Sequence, residues 1–110
     1  MKGVDLEALA RRLLQAAGTG PGGRAAETVY GGHGRRLRQT VVALSAGSAL
    51  AEHENPGEAT LLVLSGRVRL QTAGASWEGG DGDLVVIPPA RHGLHALTDA
   101  AVLLTVATGA

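Results

Sequence analysis

The pattern of hydrophobic and polar positions changes period once along the chain. Val4, Leu6, Leu9, Ala10, Leu13, Leu14 and Ala17 recur at the spacing of one helical stripe, which predicts a short N-terminal α-helix. Glu7 and Arg11 stand one turn apart, and Gly18 falls where a C-terminal cap belongs. The following GTGPGG, Gly18 to Gly23, predicts a flexible connector. From Arg24 onward the apolar residues gather into short runs: ETVY, LRQTVVAL, ATLLVL, RVRLQT, DLVVI and AVLLTVA. They are rich in Val, Leu and Thr, and turn-forming segments such as GGHG, SAG, NPG, TAG and GGDG separate them. Six clear strands with three weaker ones at this spacing predict an all-β antiparallel sandwich or barrel. The expected division is residues 1–23 as helix and Gly-rich linker, and 24–110 as the β domain. Several strands are apolar on both faces, which a small barrel tolerates only under cover. The helix and a second subunit are the expected covers.

Composition narrows the functions such a barrel can have. A chain of 110 residues supports one domain with a modest core. Its 45% apolar content comes almost wholly from Ala, Val and Leu, with no Phe, one Trp and one Tyr, so binding by aromatic stacking is largely excluded. Ten basic residues balance ten acidic ones, which removes the basic footprint of a nucleic-acid or anionic-membrane binder. Residues 1–50 carry seven of the bases and three acids, and residues 51–110 the reverse, read here as two differently solvated faces. Without cysteine there are no disulfides and no thiolate metal sites. Asp5, Glu7, Arg11 and Arg12 interrupt the apolar stretch that a secretion signal needs, and no run approaches the roughly 18 apolar residues of a membrane span. A soluble, cytoplasmic protein is the expectation.

Two segments carry candidate chemistry. Residues 47–66 read GSALAEHENPGEATLLVLSG, and residues 82–95 read GDLVVIPPARHGLH. Five residues separate Gly47 from His53, Pro56 follows the His-x-His slot, Val63 to Gly66 closes a hairpin, and five residues separate Gly82 from Pro88. These segments resemble the two motifs of the cupin superfamily, over about residues 36–107. The resemblance implies a small single-domain cupin of the RmlC-like, conserved-barrel type: a double-stranded β-helix, or jelly roll, that is commonly a homodimer.

The resemblance also implies a metal held by two histidines two apart, a carboxylate and a motif-two histidine, and there the sequence departs from it. Residues i and i+2 of a strand share a face, so the first two ligands would enter one cavity. His53 fills the first slot, but Asn55, a poor transition-metal ligand, fills the second. Six residues lie between Ala59 and Gly66, so Ala59 holds the carboxylate slot, and Glu58 sits one step early and needs a bulge or kink to face inward. Motif two is contracted to Pro88-Pro89-Ala90-Arg91-His92, after which His92 shares a face with Leu94 and Ala96 and His95 points away.

The preferred reading is a small-molecule-binding cupin of unassigned activity with a degenerate metal site, its pocket candidates being His53, Asn55, His92, Tyr30 and Arg91. The alternative is a metal-dependent enzyme of oxygenase or isomerase type, with His53, Glu58 and His92 around Fe, Mn, Ni or Zn. Metal-free proton transfer between His53 and His92 is a further possibility. Trp77 is expected near a hairpin edge, packing or touching solvent, and Tyr30 at a pocket rim. Arg36 and Arg38 read as solvated edge charges, and His33 as an exposed turn residue.

Overall fold

A computed structural model describes residues 1–54 and 57–108. Helix α1 (Leu6–Thr19) starts where the Asp5 carboxylate accepts the N–H of Ala8 at 3.1 Å, satisfying a donor that a helix start leaves open. It runs through Gly18, and Gly20 caps it by donating its N–H to the Ala17 carbonyl. The connector is more ordered than its composition predicts. Pro21–Gly23 forms a 3-10 turn, and the Gly23 carbonyl accepts the N–H of Ser45 at 2.8 Å, tying the turn to the barrel.

Nine strands follow among the described residues: β1 (Arg24–Gly31), β2 (Leu37–Leu44), β3 (Ala49–His53), β4 (Gly57–Ser65), β5 (Arg67–Thr72), β6 (Ser76–Gly80), β7 (Leu84–Val86), β8 (His92–Ala96) and β9 (Ala100–Thr108). The three weaker strands of the sequence correspond to β3, β6 and β8. One sheet has the order β1-β2-β9-β4-β7 and the other β3-β8-β5-β6, and every pairing is antiparallel. Two facing antiparallel sheets of this order form the jelly roll expected from the motifs.

Alternation along the strands explains how the core is shared. Val42 and Leu44 of β2, Ala59, Leu61 and Val63 of β4, and Val102 and Val106 of β9 point inward. They meet Val68 and Leu70 of β5, Leu94 and Ala96 of β8, and Ile87. The intervening Val41 and Ala43 of β2 point outward and are nevertheless buried, because Leu9, Leu13 and Ala17 of α1 lie on them. Strand β2 is thus apolar on both faces for two reasons: barrel core inside, helix outside. Arg38 does not guard an edge, because β2 lies between β1 and β9. No described helix is long and apolar enough to cross a membrane.

Candidate functional site

Strands β3 and β8 are neighbours, and their ends carry the two motif histidines. Leu50 lies opposite Leu94 and His53 opposite His92, so three steps along β3 match two along β8. The extra residue is a bulge, and it decides the site. Leu50 packs against the barrel core, and on a regular strand a residue three positions later would face away from it. The bulge instead brings His53 beside His92, ring centroids 4.5 Å apart and edge to face at 61°.

Backbone hydrogen bonds orient both rings. Nδ1 of His92 meets the Ala90 carbonyl at 2.9 Å, and Nδ1 of His53 meets the Ala51 carbonyl at 3.1 Å. A carbonyl oxygen only accepts, so each ring carries a proton on Nδ1, and in the neutral form Nε2 is the acceptor. His92 is 3% exposed, whereas His53 is exposed at the rim. Two imidazoles of different burial therefore sit side by side at one end of the barrel.

The other sequence candidates are more scattered. Ala59 is buried in the barrel core at 6% exposure, opposite Val106, while Glu58 pairs with Ala107 and is exposed. No irregularity separates Glu58 from Ala59 in the ladder, so alternation turns Glu58 to the outer face. The triad of His53, Glu58 and His92 thus lacks its carboxylate on the inner face. Among the described residues, no group of three or more His, Asp or Glu side chains is arranged to hold a metal ion. Asn55 lies outside the described residues. Arg91 is exposed and pairs loosely with Glu52 at 3.6 Å, beside a shallow cleft shared with Glu54, Pro89 and Ala90. Tyr30 lies on β1 in a groove with Val4, Leu6 and Leu103, and Arg35 stacks over its ring at 5.8 Å. That groove borders α1 and contains neither histidine. His33 is exposed, and His95 is exposed on the face of β8 away from the barrel.

Trp77 has a larger part than its hairpin position predicts. It lies on the edge strand β6 opposite Leu70, half-buried against the core, and walls a cleft of about 310 Å³. Leu70 and Thr72 of β5, Ala75, Ser76, Val85, Val86, Pro88 and Ala90 complete the lining. Gly79 makes this placement possible: a methyl group there would overlap Cη2 and Cζ2 of the indole. The available signal was alternation, since Trp77 shares a face with Gly79 and, through the register, with the inward Leu70.

The fold and motifs define a cupin. The family model described as a cupin domain matches residues 40–108, and the chain belongs to that family. Among solved structures, a conserved protein of unknown function from Streptococcus pyogenes is similar at a TM-score of 0.74 and 24% identity, covering 83% of this chain and 79% of that one. An RmlC-like cupin from Desulfovibrio desulfuricans is 28% identical with a TM-score of 0.67, covering 76% of this chain and 81% of that one. A cupin superfamily protein from Desulfitobacterium hafniense shares the fold at a TM-score of 0.71 and 14% identity, over 78% of each chain. No curated protein matches.

Proposed function

We propose that this cupin binds a small molecule at the barrel end where His53 and His92 meet, and that it does so without a resident metal. The observation that carries the reading is the orientation of the two imidazoles. Both are held through Nδ1 by backbone carbonyls, which leaves Nε2 of each neutral ring as its free nitrogen in two neighbouring imidazoles. Fixed, partly buried polar groups beside an apolar wall are the usual make-up of a ligand site. Arg91 belongs to the rim of this proposed site, and Tyr30 falls outside it. The chain works as a homodimer in this reading, with its uncovered apolar strand face as the contact.

Metal-dependent chemistry is the second reading, because imidazoles held through one nitrogen by a carbonyl are also how metal-binding histidines are oriented. The donor set argues against it. Two imidazoles with Ala59 in the inward position of β4 fall short of the two-histidine, one-carboxylate set that holds Fe(II) with open positions.

The imidazole nitrogen chemical shifts test the binding reading while a library of small molecules is added. The expected result is that hits move the signals of His53 and His92 and leave those of His33 and His95 in place. Hits that move only His33 or His95, or a library with none, would overturn it.

A further inference from the structure

We infer that the ligand is a flat, apolar ring carrying one hydrogen-bond donor, as in a phenol, with the ring in the Trp77 cleft and the donor on the histidine pair. This rests on the reading of the histidine pair as a binding site and adds the class of molecule it takes.

The cleft and the pair are parts of one surface. In the register of the four-stranded sheet His53 lies opposite His92, and His92 opposite Thr72. Thr72 lines the cleft, one strand spacing of about 4.8 Å from His92. The next row inward runs Leu94, Leu70, Trp77, which forms the apolar floor under the first. Ala90 joins the two parts again, since it lines the cleft and its carbonyl holds Nδ1 of His92.

The chemistry of the lining selects the ligand. No charged side chain lines the cleft, so a charged group placed there would lose its hydration without a partner. Thr72 Oγ1 is committed, accepting the N–H of Ala75 at 3.2 Å and donating to the Ala75 carbonyl at 3.3 Å. The polar side chains left to a ligand are the Ser76 hydroxyl in the lining, which accepts or donates, and the imidazoles beyond Thr72, which accept through Nε2 in their neutral form. A ligand that reaches the histidine pair therefore has to donate to it. Size is compatible with this: a cavity of about 150 Å³ holds benzene, so about 310 Å³ has room for a substituted ring.

Trp77 is the chain's one tryptophan, so its fluorescence reports occupancy of the cleft directly. The experiment compares para-cresol with para-fluorotoluene, which has nearly the same shape and no donor. Saturable change of Trp77 emission by para-cresol is expected, with para-fluorotoluene about tenfold weaker, the loss of roughly one hydrogen bond. His53→Ala, at an exposed position that leaves the core intact, is expected to bring para-cresol down to the level of para-fluorotoluene. Equal affinity for the two probes, or an unaltered preference in His53→Ala, overturns the assignment of the donor. No saturable response to either probe overturns the cleft. If the Trp77 signal is silent while other molecules move the His53 and His92 shifts, the ring-binding proposal fails and the histidine site stands.

Discussion

At the scale of single residues, the decisive feature is how little room separates Trp77 from its own strand. The indole fills the space over Gly79 that any side chain there would occupy, and Gly79 is buried. Gly79→Ala therefore forces the ring out of its place or the strand out of register. Overpacking of this kind costs about 1–3 kcal/mol, and urea denaturation should show a midpoint lowered accordingly, with an altered Trp77 emission maximum in the native state. An unchanged midpoint and spectrum would mean that the ring does not depend on Gly79. The pair of Glu58 and Ala59 makes a second residue-scale prediction. With alanine inward, protein purified without an affinity tag should hold well under one equivalent of Fe, Mn, Ni or Zn by elemental analysis. Stoichiometric metal that disappears in His53→Ala would show instead that the site completes its donor set from residues other than Glu58.

At the scale of elements, α1 is the piece whose contribution is most separable. Its apolar stripe covers Val41 and Ala43, with Leu13 near the middle of the contact. Leu13→Ala should destabilise the fold by about 2–3 kcal/mol, at the lower end of the range for buried leucines because a surface helix can settle into the gap. Asp5→Ala, which removes the cap on Ala8, should lose about 1 kcal/mol. Both are read from urea midpoints, and a Leu13→Ala protein as stable as the parent would mean that the helix only rests on the sheet. This element was legible in the sequence because its stripe has one period and one face. The long strands were legible for the same reason, whereas β3, β6 and β8 gave weak signals because glycine, histidine and acidic residues interrupt them. Counting back from Gly66 already set Ala59 inward, and the regular ladder of β4 agrees. The bulge in β3 was not legible, since nothing in the alternation of ALAEH marks an added residue. The Trp77 cleft was hidden for another reason: its lining comes from segments 70–77 and 85–90, which meet only once the sheets close.

At the scale of the whole molecule, the jelly roll is covered unevenly. Helix α1 shields the outer face of β1, β2 and part of β9, and reaches Leu64 on β4. Beyond it an apolar stretch of the outer face remains beside Thr60 and the outward Glu58. Leu84 and Val86 of β7 are 62% and 72% exposed, and Leu62 of β4 pairs with Leu84 in the same sheet. Strand β7 is also an edge, with one side of its backbone unpaired by any described strand. A contiguous apolar face next to a free edge favours a two-fold contact in which the same patch meets its copy. A single helix cannot cover a five-stranded sheet, so a second copy is the simplest completion of a core that begins with strands apolar on both sides. Sedimentation velocity should then give a dimer. Replacing both Leu84 and Val86 by lysine should give a monomer with an unchanged circular dichroism spectrum, because both side chains point away from the barrel. A parent protein that sediments as a monomer would remove the dimer from the proposal. A double variant that remains dimeric would move the contact elsewhere, with the β1 edge and Tyr30 as the next apolar surface to alter.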